Sequence, residues 1–385
     1  RNLDEIISIR RDLRKHPELA FEEKRTASIV ASYLRQWGYD VQEHVGGTGV
    51  VGLLKGKQPG KVIGLRADMD ALPMPDEISS PYKSLNDGVA HTCGHDVHTA
   101  NLLGVAKVFS EIGLKKGTLK LIFQPAEEIG QGAKAMIEDG VMDNPKVDFM
   151  AGLHVNPSLN VGEFSLTDAE YTCGAVDLFE LVIEGTGGHG AHPHLAVDAV
   201  MISAQVLVAL QQIVSRQVDP LKPVVLTVGQ IQGGTKGTIL PSTVTMNGTV
   251  RTLDPNVRNQ VPESMEKIAT QIAEAYGGKA YLNYQRVTPS IKADAPSSKA
   301  FSELVGDLFG KESFKWVNPS MGGEDFAYFS ELVPSVFFKL GTKSSEETAY
   351  GIHNPKFNVD EQAVRYGMTA LSVLVEKYLN GPERD

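Results

Sequence analysis

Hydrophobic residues recur along this chain with the periods of amphipathic helices and of buried strands. In the first part of the chain, stretches with helical spacing alternate with short apolar runs. These stretches predict helices over about 3–13, 23–37, 100–112 and 132–139, and strands over 50–54, 61–67, 119–123 and 147–154. Such alternation is typical of an α/β fold in which helices cover a mostly parallel sheet. We expect strands 50–54 and 61–67 to be neighbours in that sheet.

The order of elements changes after Cys173 and changes back near residue 289. Between these points the strands and helices follow βαββαβ, which is the ferredoxin-like order. A helix, a strand and a closing helix near 361–379 then resume the first pattern. The sequence therefore predicts a larger domain in two parts, interrupted by an inserted ferredoxin-like domain; the predicted ranges are 1–172, 173–288 and 289–385.

Composition and charge narrow the classes of partner. The 385 residues are 42% hydrophobic, which is enough apolar material for two or three domains with substantial cores. The formal net charge is -10 without a basic stripe, which favours a small-molecule partner over nucleic acid. No run of 18 apolar residues predicts a membrane-spanning helix, and we expect no membrane partner. The two cysteines, Cys93 and Cys173, lie in unlike settings, which indicates a reducing compartment and a cytoplasmic location.

One octet carries a dense set of metal-binding side chains: His91-Thr92-Cys93-Gly94-His95-Asp96-Val97-His98. It holds three imidazoles, a thiol and a carboxylate in a chain with ten histidines and two cysteines. Buried imidazoles and thiolates are costly unless they are paired or bound to metal. Cys93 and His95 are two apart, so both side chains can face the same side of an extended loop. The octet predicts a metal-binding loop, with a polar loop around a buried cysteine as the alternative.

Further candidates fall at the ends of predicted strands, where an open α/β sheet places its chemistry. They are Asp68, Asp70, Glu127, Glu128 and His154. The paired glutamates admit two interpretations: they stabilise a helix start, or one binds metal while the other takes a proton from a metal-activated water. His353 adds an imidazole in a loop before the last helix.

The chain has no His-Glu-x-x-His helix and no Gly-x-Ser-x-Gly elbow, which argues against helical zinc proteases and serine hydrolases.

A set of short motifs extends over nearly the whole chain. Its members are Arg11-Asp12-Leu13 with His16-Pro17-Glu18-Leu19, Arg66-Ala67-Asp68-Met69-Asp70-Ala71-Leu72-Pro73, Cys93-Gly94-His95-Asp96 with His98-Thr99, Phe123-Gln124-Pro125-Ala126-Glu127-Glu128, Gly188-His189-Gly190-Ala191 with Pro193-His194, Gly323-Glu324-Asp325-Phe326, and His353-Asn354-Pro355 with Phe357. On this set the chain resembles the M20 metallopeptidases. The resemblance is to the amidohydrolase branch, which holds aminoacylases, hippurate hydrolases, carboxypeptidases and auxin-conjugate hydrolases.

The resemblance implies a two-metal catalytic domain and a lid domain that also forms the dimer. The residues that match the family's metal ligands are Cys93, His95, Glu128, His154 and His353. Glu127 matches the general base, His189 matches a lid histidine that stabilises the oxyanion in a neighbouring active site, and Arg251 matches a lid arginine associated with the substrate carboxylate.

Two positions depart from the family pattern. Thr238, in Thr238-Ile239-Leu240-Pro241, stands where the family usually has an asparagine that anchors substrate. Its shorter side chain lacks the amide, which bears on substrate specificity. His192 is also not the usual residue at its position, and no role is predicted for it.

The expected function is metal-dependent hydrolysis of the amide bond of N-acyl amino acids or short peptides. The expected cofactors are two divalent ions per subunit, with zinc favoured by the thiolate and imidazoles and manganese, cobalt or nickel as alternatives. A homodimer or higher homo-oligomer is implied by the resemblance alone. A dipeptidase is the first alternative, although no acidic anchor for a free amino terminus is evident. A non-enzymatic metal-dependent binding protein is the second, and the base beside the ligands argues against it.

Overall fold

Strands and helices alternate through most of the computed structural model, which describes residues 2–381. The strands are β1 Asp40–Val45, β2 Gly49–Lys55, β3 Gln58–Asp68, β4 Lys116–Gln124, β5 Phe149–Asn160, β6 Phe164–Thr167, β7 Ala175–Glu184, β8 Gly188–His189, β9 Val224–Gly233, β10 Ile239–Leu240, β11 Thr243–Thr252, β12 Lys279–Thr288, β13 Phe314–Val317 and β14 Ser335–Lys343. The helices are α1 Leu3–Lys15, α2 Lys24–Gln36, α3 His95–Ile112, α4 Gly132–Glu138, α5 Ala199–Gln212, α6 Pro255–Ala275, α7 Ala295–Phe309, α8 Ala327–Leu332 and α9 Gln362–Asn380.

Residue contacts divide the chain into two compact units. The first comprises Arg1–Glu170, Lys292–Asn318 and Asp325–Asp385, of which residues 2–381 are described here; the second comprises Tyr171–Ile291 and Pro319–Glu324. The segment 319–324 was predicted within 289–385, the second part of the larger domain. It belongs instead to the inserted unit, because Ser320 forms a parallel bridge with Cys173 and its N–H donates to the carbonyl of Thr172.

The first unit is built on an eight-stranded sheet in the order β1-β2-β4-β3-β5-β14-β6-β13. Strand β3 is parallel to both β4 and β5, and β5 is parallel to β14, so the middle of the sheet is parallel as expected. The predicted neighbours 50–54 and 61–67 are not adjacent, because β4 lies between β2 and β3 and pairs antiparallel with β2. Buried residues of α3 and α9, including Val97, Leu103 and Leu371, share one apolar core with the sheet.

The second unit is the predicted βαββαβ domain. Strands β7, β9, β11 and β12 form an antiparallel sheet in the order β12-β7-β11-β9. Helices α5 and α6 bury Ile202, Val206 and Val261 in a core shared with the sheet residues Leu181 and Met246. Both helices begin at aspartates whose side chains accept hydrogen bonds from backbone N–H groups, which is how N-caps stabilise a helix start.

One helical stretch of this unit is unusually apolar. Residues Ala199–Gln217 form 19 helical residues with mean hydropathy 1.3, which by length and composition alone is enough to cross a membrane. The sequence-based expectation of no such segment was therefore too strict. Core helices also meet this criterion, and Ile202, Val206 and Leu210 are buried in the core of the unit. The opposite side is apolar too, with Val208 73% exposed.

Strands β9 and β11 approach each other closely at Gly248, and a substitution there tests this part of the fold. A Cβ atom at Gly248 would lie 2.0 Å from the carbonyl oxygen of Thr227 on β9. We expect Gly248→Ala to lower the free energy of unfolding by about 1–3 kcal/mol, because the two backbones must separate. Gly229→Ala on the adjacent strand is the matched control, since no atom lies within 4 Å of the added carbon. Urea unfolding measures both, and equal losses would contradict the predicted backbone contact.

Candidate metal centre and catalytic site

The loop before α3 brings Cys93 and His95 into the interior of the first unit. Gly94 turns the chain into the helix with φ of 90°, and His95 is the first helical residue. A Cβ at Gly94 would lie 2.4 Å from Cγ2 of Val155, so glycine lets this loop pack closely on β5. The Sγ atom of Cys93 is 3.4 Å from Nε2 of His154. His154 lies within β5 and not at its end as predicted, because the strand continues to Asn160.

Asp70 orients one imidazole of this site. Nδ1 of His95 lies 2.8 Å from the carbonyl oxygen of Asp70 and 3.2 Å from its Oδ1. A carbonyl oxygen only accepts, so Nδ1 is the donor and Nε2 carries the lone pair that binds metal. That Nε2 atom is 3.9 Å from Oε2 of Glu127 and 3.9 Å from Oε1 of Glu128. Asp70 also accepts the N–H of Glu128 at 2.9 Å, so it positions both sides of the site.

Glu128 and His353 meet on the other side of the same centre. Oε2 of Glu128 is 3.4 Å from Nε2 of His353. His353 adopts φ of 62°, a conformation that non-glycine residues seldom take outside turns and functional sites. Its N–H donates to the carbonyl of Thr92 at 2.8 Å, which ties the loop of His353 to the loop of Cys93. Five predicted ligands and the predicted base thus lie around one centre.

The donor atoms at this centre fit divalent metal ions. Within the first unit, four overlapping groups have all their donor atoms within 4.8 Å of one another: Cys93, His95 and His154; Cys93, Glu128 and His353; His95, Glu127 and Glu128; and Asp68, His95 and His98. Nε2 of His95 and Oε1 of Glu128 are buried and make no hydrogen bond to any atom of residues 2–381. Such buried atoms are costly unless something binds them.

Burial and neighbouring charges shift the pKa values of the predicted ligands in different directions. Burial opposes the charged form of His95, but Asp68 and Cys93 raise its pKa well above the usual value, so a bound metal would have to displace that proton. Burial raises the pKa of the Cys93 thiol well above its usual value. The thiolate form of Cys93 therefore needs a nearby positive charge, such as a metal ion, to stabilise it. Burial also lowers the pKa of His154 well below its usual value, which keeps the imidazole neutral, as a ligand must be. A thiol, imidazoles and carboxylates together suit zinc and similar ions.

Two histidines of the octet, His91 and His98, match no predicted metal ligand. Nδ1 of His98 is 2.6 Å from Oδ1 of Asp68, and its Nε2 accepts the N–H of Val155 at 3.0 Å. His98 is therefore a structural residue behind the centre. His91 is buried, and burial lowers its pKa to about 4. Its carbonyl accepts from Arg14 at 2.7 Å, which anchors the start of the octet.

A buried ion-pair network supports the ends of β3 and β4. Arg66 pairs with Asp68 at 2.8 Å and with Asp325 at 2.7 Å. Burial opposes ionisation of Asp68, but the charge of Arg66 and the hydrogen bond from His98 help to hold its pKa well below the usual value. Asp68 therefore stays an anion although it is fully buried.

The sequence predicted no site role for Asp325, and it indicated Asp70 as a candidate without a specific function. Asp325 accepts from Nε2 of Gln124 at 2.8 Å and from the N–H of Ala133 at 2.9 Å, so it fixes both ends of the turn that carries Glu127. The sequence signal for Asp325 is the Gly323-Glu324-Asp325-Phe326 motif, which does not by itself indicate a role. For Asp70 the signal was the pair of aspartates at the end of a strand. A histidine that binds metal usually needs such a carboxylate to orient its ring.

The remaining predicted site residues belong to the second unit. His189 on β8 pairs with Ile239 on β10, and the carbonyl of Thr238 accepts the N–H of Gly190 at 2.9 Å, so His189 and Thr238 are close together. Arg251 lies near the far end of β11, half-buried, where its Nε donates to Oγ1 of Thr249 at 3.1 Å. Within the unit, Arg251 is not brought together with His189.

Similarity to known proteins agrees with this geometry. The model of peptidase family M20/M25/M40 matches residues 64–377. The chain is 39% identical over 382 residues to thermostable carboxypeptidase 2 of Saccharolobus solfataricus, covering 98% of this chain and 96% of the relative. It is 40% identical over 363 residues to an N-acetyl-L-cysteine deacetylase of Bacillus subtilis, covering 94% of this chain and 85% of the relative.

A solved structure supports the same assignment. A dinuclear metal-binding peptidase of the M20 family from Bacillus subtilis superimposes with a TM-score of 0.86 at 33% identity, covering 99% of each chain. The chain therefore belongs to peptidase family M20/M25/M40, among its metal-dependent amidohydrolases and carboxypeptidases.

Proposed function

We propose that this enzyme hydrolyses the amide bond of N-acyl amino acids. The observation that carries the proposal is the position of Glu127 beside a complete ligand set, with its Oε2 3.9 Å from Nε2 of His95. Relatives that are named as a deacetylase of an N-acetylated amino acid and as a carboxypeptidase favour substrates whose scissile amide precedes a free carboxylate.

The residues of the centre divide the chemistry between them. Cys93, His95, Glu128, His154 and His353 would hold two divalent ions, which lower the pKa of a water and polarise a carbonyl. Glu127 removes the proton of the attacking water and passes it to the leaving amine, as a general base and then a general acid. Asp70 keeps the lone pair of His95 directed into the centre.

The hydrogen-bonding pattern of His189 suits a donor to an oxyanion. Its Nδ1 accepts the N–H of Ala191 at 3.1 Å. In the neutral ring the hydrogen is then on Nε2, which makes this nitrogen a donor. A donor of this kind to the oxyanion contributes about 3–4 kcal/mol to transition-state stabilisation.

Arg251 supplies a cation for the substrate carboxylate. Its Nε donates to Thr249 at 3.1 Å, which orients the guanidinium. A planar guanidinium binds a carboxylate with two parallel hydrogen bonds, so it selects substrates that end in a free acid. Thr238 engages Gly190 through its backbone carbonyl, and its side chain is too short to replace the amide of an asparagine. We propose that this difference alters the preferred acyl group.

The separation of His189 from Arg251 favours catalysis by two copies of the chain. His189 lies on the two-stranded ribbon of β8 and β10. The N–H of Gly185 donates to the carbonyl of Ser242 at 2.8 Å, so this ribbon lies beside the start of β11 at Thr243. Arg251 lies eight residues beyond Thr243 on the same strand, about 26 Å away. One small substrate cannot touch both within one unit. We propose that His189 acts on the site of a partner copy while Arg251 acts on its own.

An exposed apolar surface on the second unit suits a homodimer. Val200, Met201 and Val208 of α5 are 46%, 54% and 73% exposed, and Val225 and Ile231 on the edge strand β9 are also exposed. Apolar residues on a helix and a neighbouring sheet edge are typical of surfaces that pair with a second copy. We propose this surface as the dimer interface.

Zinc and a cytoplasmic location complete the proposal. The buried thiol and imidazoles of the centre favour zinc over harder ions. Both cysteines are buried and free, as expected in a reducing compartment.

Release of free amine tests the substrate class. Chelated protein, reloaded with one metal at a time, is expected to cleave N-acetyl and N-benzoyl amino acids. It is expected not to cleave the same substrates when their free carboxylate is replaced by an amide. Metal dependence follows from the ligand set, and carboxylate dependence from Arg251. Cleavage of unblocked dipeptides alone would replace this proposal with a dipeptidase.

Glu127→Gln separates catalysis from metal binding. The variant is expected to retain bound metal but to lose about 10²–10⁴-fold in turnover, because an amide cannot take the proton. Glu128→Gln is the matched control on the adjacent residue, and its bound metal should fall. Metal content and amine release are measured on the same samples. Wild-type turnover in Glu127→Gln would refute the base assignment.

Mixed dimers test the exchange of His189 between copies. Glu127→Gln and His189→Ala homodimers are each expected to be nearly inactive. After co-refolding, one site of each heterodimer has an intact Glu127 and receives an intact His189, so roughly a quarter of wild-type activity should return.

The control for this experiment mixes Glu127→Gln with Arg251→Ala. No activity is expected to return there, since the proposal places Glu127 and Arg251 in the site of one copy. Equal recovery in both mixtures, or none in either, would contradict the division of roles.

A further inference from the structure

A second group of imidazoles lies on the surface of the second unit, in the loop after β8. It consists of His189, His192 and His194, all of which are exposed. The ring centroids of His189 and His192 are 5.3 Å apart, and those of His192 and His194 are 6.1 Å apart. The ring of His192 is thus a neighbour of both other rings.

These separations suit metal coordination. Imidazole nitrogens bind zinc at about 2 Å, so two rings on one tetrahedral ion have their centroids about 5 Å apart. The pair His189 and His192 already has this spacing. His194 is an exposed neighbour of His192, and exposed side chains change rotamer in about picoseconds to nanoseconds, so its ring is available as a third ligand.

The backbone of this loop is held in place. The N–H of His192 donates to the carbonyl of His189 at 2.8 Å, and the N–H of Leu195 donates to the carbonyl of His192 at 3.1 Å. Two successive turns thus present the three rings, and Pro193 restricts the residue between His192 and His194. Binding an ion here orders side chains but not backbone, which lowers its entropic cost.

We propose that the loop from His189 to His194 binds one transition-metal ion in addition to those of the catalytic centre, and that this ion inhibits the enzyme. Imidazole ligands suit zinc, copper and nickel. When Nε2 of His189 binds the ion, its hydrogen moves to Nδ1 and the hydrogen bond from Ala191 is lost. His189 then has no donor for the oxyanion. Binding is independent of the proposed function, whereas inhibition rests on the role of His189.

Metal stoichiometry tests the site. Full-length chelated protein is titrated with Zn²⁺ and the bound ions per chain are counted after desalting. The double variant His192→Gln/His194→Gln is expected to bind one ion fewer than wild type. The control His44→Asn removes a histidine outside the loop, at φ of 63° where asparagine is tolerated, and should bind as many ions as wild type. Equal stoichiometry in wild type and the double variant would overturn the site.

Amide hydrolysis tests the inhibition. Enzyme carrying its catalytic metal is expected to lose most of its activity in excess Zn²⁺, while the double variant keeps its activity under the same conditions. Equal inhibition of both proteins would overturn the inhibitory role. If no N-acyl substrate is cleaved by any form, the proposed function fails, and the count of bound ions still decides whether the loop is a metal site.

Discussion

The first unit depends on one constraint: the charges buried at the ends of β3 and β4 must compensate one another. Arg66, Asp68 and Asp325 are almost completely buried, and each would be costly alone. Arg66 neutralises both aspartates, and Asp325 in turn holds the ends of the turn that carries Glu127 and Glu128. Removing one partner would leave an unpaired buried charge, so the network stabilises the fold only as a whole.

The same network of hydrogen bonds holds the predicted ligands close together. His98 uses both ring nitrogens on Asp68 and Val155, which fixes α3 against β5. His95 then emerges from the first turn of α3 with its Nδ1 on Asp70 and its Nε2 directed at the carboxylates. The centre is preorganised by hydrogen bonds behind it, which is how proteins tune metal ligands.

The second unit carries the predicted site residues His189 and Arg251. Its site residues lie on exposed or half-buried positions of a stable ferredoxin-like sheet, with His189 on a short ribbon and Arg251 on a long central strand. Their separation along β11 is a property of the strand itself, since a strand extends by about 3.3 Å per residue. Under the proposed function, this spacing keeps His189 and Arg251 of one copy from contacting the same substrate.

Local patterns in the sequence were enough for much of this protein. The alternation of strands and helices, the βαββαβ insertion and the concentration of Cys93, His95, Glu127 and Glu128 in short segments all depend on residues near one another in the chain. The tertiary structure alone decided that β4 separates β2 from β3, that residues 319–324 join the inserted unit, and that His98 is structural while His95 faces the carboxylates. These outcomes depend on pairing between distant segments, and sequence periodicity carries no information about which partner a strand or a ring nitrogen finds.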